Sequence, residues 1–343
     1  MYLEHFGVNE FPFSITPDAS YFFSSGGYQE ALNTLLIAAR IGEGFIKITG
    51  EVGTGKTLLC RKFMNSLGPE FKVAYIPNPY LDPQALFSEL AWELGVSNIM
   101  AAVSQHDLLR AITDKLLEHV KDGKRVVICL DEAQAMPMES LEALRLLTNL
   151  ETEKRKLLQV VIFGQPELDD KLNHPSIRQL KQRITFDYHL GKLSKSELNF
   201  YLNHRLVVAG YQGARLFTPM AIKLLAYKSE GIPRLINIIA HKAMLCAFGK
   251  GKKRIEVVDV LAASNDTSSL RNRWTVGKSI VGLLLVSLVV ISVYLVNNPN
   301  ISKWLLTNGL NNQIFNDIDI RHWPLQISEW QLSNADVNYI KPD

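Results

Sequence analysis

Eight consecutive residues, Gly50-Glu51-Val52-Gly53-Thr54-Gly55-Lys56-Thr57, fit the pattern GxxxxGK[ST] in full. Residue types at this spacing suit one task, holding a chain of phosphates. Glycines let successive backbone N–H groups turn toward phosphate oxygens, and a helix N-terminus directly behind them adds a favourable dipole. Lys56 would reach the β- and γ-phosphates of ATP, and the Thr57 hydroxyl would ligate Mg²⁺. The expected ATP-binding set is therefore Gly50, Glu51, Val52, Gly53, Thr54, Gly55, Lys56, Thr57 and the next residue, Leu58. A chance glycine-rich turn is the alternative, but an apolar run at 45–49 precedes this segment and a helical pattern follows it, the setting such a loop requires.

About seventy-five residues on, the apolar run 126–130 ends in Asp131-Glu132. A strand that ends in two carboxylates exposes them at the carboxyl edge of a sheet, where ligands bind. Asp131 would hold Mg²⁺ through its water shell, and Glu132 would polarise the attacking water. Alone, Asp-Glu after a strand reads as a solvated turn; its pairing with the glycine loop gives it chemical meaning. The run 157–163 leads into Gly164-Gln165-Pro166-Glu167, so Gln165 would stand beside the γ-phosphate, to orient water or sense the phosphate, unless it is an ordinary loop amide. Arg183 precedes the last apolar run. It is the expected arginine finger, acting on a neighbour's phosphates, with Arg178 as competitor and a plain surface charge as the alternative for either. Arg234, in Gly231-Ile232-Pro233-Arg234, falls in the first turn of a later helix, from which it would report nucleotide state.

These residues need a scaffold, and the pattern around them describes one. Short runs at 45–49, 73–77, 126–130, 157–163 and 184–190 are apolar on consecutive positions and rich in β-branched residues, as in strands buried on both faces of a parallel sheet. Helical patterns at 56–66, 83–94, 105–122 and 138–150 alternate with them, which predicts an α/β layered domain. From 193 onward helical periodicity takes over: Ser194 and Glu197 form a capping box, and Pro219 and Pro233 suit first-turn positions. The expected organisation is an N-terminal segment with the first helix over 1–44, the α/β core over 45–192 and a small helical lid over 193–265.

Residues 280–296 carry no charge and no proline. Counted from 276 the run would make ~31 Å of helix, enough to cross a bilayer core of ~30 Å. A transmembrane helix is expected at 276–296, with Lys278 snorkelling and Trp274 at the interface. Arg271, Arg273 and Lys278 precede it and only Lys303 follows within twenty residues, which puts the N-terminal bulk in the cytoplasm and the tail 297–343 across the membrane.

Composition excludes some classes. In 343 residues, net charge is +3, so nucleic acid is not an expected partner. Cys60, Cys129 and Cys246 lie far apart without CxxC spacing, so neither a disulfide framework nor a zinc site is indicated. Trp92, Met100 and Phe200 read as core packing, the histidines show no ligand spacing, and Lys250-Gly251-Lys252-Lys253-Arg254 reads as a solvated turn before DNA or acidic lipid.

The order of these motifs resembles that of the AAA+ ATPases. The opening, Tyr2-Leu3, Phe6-Gly7, Pro12-Phe13 and Thr16-Pro17-Asp18, is similar to that of the ExeA/GspA-like secretion ATPases. The resemblance covers residues 1–263 and extends to the single span. It implies an ATP-hydrolysing AAA+ (ASCE) sheet of order 5-1-4-3-2 with a helical lid, and a homo-oligomeric ring with sites between subunits. It places Phe6 and Phe13 near the adenine. It implies an anchor in the bacterial inner membrane, a periplasmic tail, and pilus or secretion-system assembly proteins as partners. Members also carry a peptidoglycan-binding domain beyond the membrane; residues 297–343 are too few for an autonomous domain, so peptidoglycan is not an expected partner. The runner-up reading is a DNA-associated ATPase resembling transposition helpers or helicase loaders. A degenerate ATPase serving as a nucleotide-gated scaffold is a third, disfavoured by the intact Lys56, Asp131 and Glu132.

Overall fold

Three consecutive strands' worth of β-branched residues sit at the centre of a five-stranded parallel sheet in the computed structural model, which describes residues 2–42, 44–97, 104–152, 156–267 and Ser287. The strands are β1 (Phe45–Thr49), β2 (Phe71–Ile76), β3 (Arg125–Leu130), β4 (Leu158–Gly164) and β5 (Phe186–His189), in the order β2-β3-β4-β1-β5. Thr49 pairs with Gly164, and Leu130 with Ile162, so the functional loops leave the sheet at one level. Every residue of β1 and β4 is buried, as helices on both faces demand. The edge strands differ from the expected continuous burial: β5 alternates half-buried with exposed, and it is shorter than the run 184–190 at both ends, although Thr185 and Leu190 still donate to Phe45 O and Thr49 O of β1.

The connecting helices are α1 (Tyr2–Phe6), α2 (Gly26–Ile41), α3 (Lys56–Ser66), α4 (Pro83–Leu94), α5 (Gln105–Lys121), α6 (Met138–Leu147), α7 (Glu167–Leu172) and α8 (Arg178–Lys181). Local chemistry sets their ends. Asp82 accepts the Ala85 N–H at 2.8 Å with Pro83 at N1, and Gly95 closes α4 in the left-handed conformation. One sheet face packs Ile46, Ile48, Val161 and Phe163 against α2 and α3; the other packs Phe45, Val160 and Ile162 against α4 to α7. Lys47 points to the second side, buried in the middle of the sheet. Burial works against its charge, but Asp169 on α7 and Asp187 on β5 (2.8 Å) more than offset this and hold it protonated.

Four further helices, α9 (Lys195–Val208), α10 (Pro219–Ser229), α11 (Pro233–Gly249) and α12 (Val257–Asn265), form the lid bundle. Ser194 and Glu197 make the reciprocal capping box, with the Ser194 N–H donating to the Glu197 carboxylate at 2.9 Å. Pro219 and Pro233 open their helices.

Several expectations are corrected. Trp92 is 71% exposed and Phe200 64%. Each is apolar in type but off the buried stripe of its helix, which runs through Leu86, Leu90 and Leu94 on α4 and through Leu198, Leu202 and Leu206 on α9. Phe6 packs beside His5 and Tyr2, whose ring lies against Phe248 of α11, and Phe13 meets Phe217 edge-on, so both aromatics pack against the lid. Among the described residues no helix is long and apolar enough to cross a membrane. The expected span at 276–296 and the tail 297–343 lie, Ser287 apart, outside the described residues, as does Met100.

Candidate nucleotide site

The loop after β1 is built so that its own backbone faces inward. Gly50 donates to Gly164 O at 3.2 Å, and a Cβ there would lie 2.7 Å from Leu190 O, which leaves room for glycine alone. Gly53 and Gly55 adopt φ of +82° and +94°, the left-handed region that glycine enters freely. Thr54 is buried and its hydroxyl donates to Glu51 O at 2.8 Å. From behind, Tyr28 of α2 donates its hydroxyl to Thr54 O and props the loop.

Lys56 opens α3 with its side chain buried. Its Nζ donates to Gly50 O at 2.7 Å and Glu51 O at 3.0 Å. Burial lowers its pKa, and the charges of Glu132 and Asp131 oppose that shift. The ammonium thus rests on weakly basic carbonyls of its own loop, partners that a phosphate oxygen would outcompete.

Asp131, at the end of β3, is 2% exposed. Burial raises its pKa, against the Thr57 hydroxyl and the Glu132 N–H, which bond its carboxylate. A buried carboxylate and a hydroxyl side by side are hard oxygen donors suited to Mg²⁺, which takes one or two protein oxygens and completes its shell with water and phosphate. Among the described residues no cluster of three His, Cys, Asp or Glu could hold a metal unaided.

Glu132 follows at φ +53°, a left-handed conformation uncommon outside glycine. The turn carries its side chain to two amides: Gln165 Nε2 donates to Glu132 Oε2 at 3.1 Å, and Gln134 Nε2 donates to the same oxygen. Gln165 also donates its backbone N–H to Gln134 Oε1 at 3.0 Å.

The lid closes the site from above. In the first turn of α11 the Arg234 N–H donates to Gly53 O at 3.1 Å, so the lid is docked on the glycine loop itself. Between them lies a cavity of about 320 Å³, bounded by Val52, Gly53, Gly55, Lys56, Thr57 and Leu58 of the loop, by Glu132 and Gln165, and by Arg234. Residues 14–18 form a further wall. Arg205 of α9 holds that wall, its Nη2 donating to Ser14 O at 3.1 Å while its guanidinium stacks over the Tyr21 ring at 4.5 Å. Gly50, Thr54 and Asp131 are buried behind this surface, and Glu51 is exposed outside it. A larger cavity, about 530 Å³, opens at the opposite end of the strands around Ile41, Arg125 and Lys156, away from the loop.

Arg183 is elsewhere. Its Nη1 donates to Thr148 Oγ1 at 3.1 Å, beyond the end of α6, and Arg178 is exposed at the start of α8; neither bounds its own chain's cavity. Sequence reasoning missed Tyr28, Gln134 and Arg205. Only Gln134 left a trace, as the fourth residue of Asp131-Glu132-Ala133-Gln134.

Residues 39–172 match the model of a family described as an AAA domain. The chain is 42% identical over 293 residues to general secretion pathway protein A of Aeromonas hydrophila, an alignment covering 84% of this chain and 53% of that protein. The chain therefore spans about half the length of this curated relative. Among solved structures, the ORC2 protein of Aeropyrum pernix in its ADPNP-ADP complexes has a TM-score of 0.54 at 19% identity, covering 73% of this chain and 72% of that one. Cdc6p from Pyrobaculum aerophilum gives 0.56 at 20% identity, over 69% and 68%. At such identities the likeness establishes the fold alone, a P-loop α/β sheet with a helical bundle. Residues 39–172 thus match an AAA domain, and the chain is related in sequence to general secretion pathway protein A.

Proposed function

We propose that this protein is a membrane-anchored AAA+ ATPase that binds Mg-ATP between the glycine loop and the lid, hydrolyses it, and uses the cycle to drive or gate assembly of a type IV pilus or secretion complex. The observation that carries the catalytic part is the Glu132 carboxylate, held by Gln134 and Gln165 at the wall of a cavity that Lys56, Thr57 and Arg234 also face. In this reading Lys56 leaves Gly50 O and Glu51 O for the β- and γ-phosphates, Gln165 senses the γ-phosphate, and Glu132 takes the proton of the attacking water. Thr57 and Asp131 would hold Mg²⁺, which supplies charge neutralisation on the phosphate oxygens. Arg183 lies outside its own cavity and would serve a neighbour's site in a homo-oligomeric ring.

The assembly role rests on the 42% identity to general secretion pathway protein A and on a sequence resemblance to MshM, the ATPase linked to biogenesis of the MSHA type IV pilus. The anchor rests on the uncharged run 280–296 and its basic N-terminal flank, which support a cytoplasmic ATPase, a span in the inner membrane and a periplasmic tail. The DNA-associated alternative loses its main feature. Lys250 pairs with Asp259 at 2.8 Å, Lys252 with Glu256 at 2.6 Å, and Lys253 donates to His5 O of α1, so these cations already have partners in the lid and in α1.

Glu132→Gln tests the reading. It should bind ATP as the wild type does and turn it over at least ~10²-fold more slowly, the low end for loss of a general base. Wild-type turnover in this variant would mean that another group activates the water.

A further inference from the structure

We propose that Gln134 is a positioning residue for hydrolysis, which fixes the Glu132 carboxylate and joins it to the Gln165 loop. The inference rests on Glu132 acting as the base.

Glu132 leaves β3 in the left-handed conformation, so its backbone alone does not dictate where the carboxylate rests. Two amide donors converge on one of its oxygens, Oε2: Nε2 of Gln134 and Nε2 of Gln165. A carboxylate with one oxygen so held has little freedom to rotate, and its other oxygen, Oε1, is left to accept a proton from water. Gln134 does a second thing at once. Its Oε1 accepts the backbone N–H of Gln165 at 3.0 Å, so a single amide group spans the base and the loop that follows β4.

The backbone of Gln134 is gripped as well. Lys171 of α7 donates from Nζ to Gln134 O at 2.6 Å and to Met136 O at 2.7 Å. Helix α7 begins two residues after Gln165, so the helix that directly follows the phosphate-facing amide also clamps the turn that carries Gln134. The position requires a donor and an acceptor at the end of a two-methylene stem. Asparagine is a methylene short, glutamate turns the donor into a carboxylate facing Glu132, and methionine keeps the length with neither bond.

Gln165 has a competing attraction in this reading, the γ-phosphate. If its Nε2 moves to that oxygen, Gln134 becomes the remaining donor on Glu132 during the chemical step. Its removal should therefore be felt in kcat and little in ATP binding.

The experiment uses the full chain, purified in detergent, with steady-state ATPase rates and a fluorescent-nucleotide titration. Gln134→Met should lower kcat ~10–100-fold, the range for a catalytic group displaced by about 1 Å, and change nucleotide affinity less than ~3-fold. In a Glu132→Gln background the same substitution should leave the residual rate unaltered, because Gln134 then has no base to position. Gln134→Glu, which keeps the acceptor for the Gln165 N–H and loses the donor, should reproduce the kcat loss, and it decides the matter should the methionine variant not fold. Wild-type kcat in either folded variant, or a further fall of equal size in the Glu132→Gln background, overturns the inference. A fully active Glu132→Gln marks failure of the base assignment; an inactive Glu132→Gln beside a fully active Gln134→Met marks failure of the positioning role alone.

Discussion

Gly53 offers a test of whether the lid sits on the phosphate loop. It occupies a variable position of the GxxxxGK[ST] pattern, so the pattern itself does not call for glycine there. The structure does. At φ +82° an L-residue costs about 1–2 kcal/mol. A Cβ would also lie 2.7 Å from Arg234 Cβ and 3.2 Å from Ile232 Cγ2. The first of these is fixed to the opening turn of α11, so relief requires the helix start to retreat rather than a side chain to rotate. Retreat stretches the Arg234 N–H to Gly53 O bond, now 3.1 Å, whose net contribution is about 0.5–1.5 kcal/mol. Together these predict a loss of roughly 2–3 kcal/mol for Gly53→Ala, or a fall in Tm of about 4–12 °C at the 2–4 °C per kcal/mol of a domain this size. ATP affinity should fall with it, because Arg234 shares the cavity wall. Val52→Ala is the control: the neighbouring side chain is 54% exposed, and its truncation should change stability by less than about 0.5 kcal/mol. Thermal unfolding followed by circular dichroism, with and without nucleotide, reads both. If Gly53→Ala melts with the wild type and binds ATP equally well, the lid does not rest on the loop in solution.

Two further outcomes follow from the placement of the remaining groups. Arg183→Ala should keep ATP affinity, since Arg183 reaches Thr148 and not its own cavity, but should lose turnover by the ~10³–10⁵-fold reported for arginine fingers elsewhere. Mixed with Glu132→Gln it should regain part of the activity if it acts on a neighbour, and turnover that stays near zero in verified mixed rings would defeat that reading. A variant ending at residue 270 should leave the membrane fraction and still bind ATP, because the cavity lining ends at Asn237 of α11; retention in the membrane would show that the anchor lies elsewhere.

How much of this was legible beforehand depended on distance along the chain. The bounds of β1, α3 and α4 could be read to the residue, because Gly55, Asp82-Pro83 and Gly95 punctuate them locally. So could the capping box at Ser194, three residues across. Burial was read less well wherever residue type and helical position disagreed: Trp92 and Phe200 are bulky and apolar, yet they face away from the stripe that their own helices bury. The site divides in the same way. Lys56, Thr57, Asp131 and Glu132 announce themselves because a loop or a strand end presents them in sequence. Gln165 and Arg234 were inferred from the loops that hold them, although what each touches, Glu132 and Gly53, was not.

The residues that escaped notice are those whose meaning is wholly long-range. Arg205 anchors Ser14 from 191 positions away, and Tyr28 supports Thr54 from 26; neither carries a neighbour pattern that distinguishes it from any partly apolar helix position. Gln134 is the instructive intermediate. It is only two residues from Glu132, but the contact depends on the left-handed backbone at Glu132 and on a short 3₁₀ turn at Ala133–Ala135, which folds the amide back onto the carboxylate. An α-helix at that point would have sent the two side chains to different sides, and a strand, although it puts both on one face, would have held them about two residue rises apart. The chemistry of the strand end is thus written in residue types, whereas the orientation of its base is written in a conformation that periodicity does not encode.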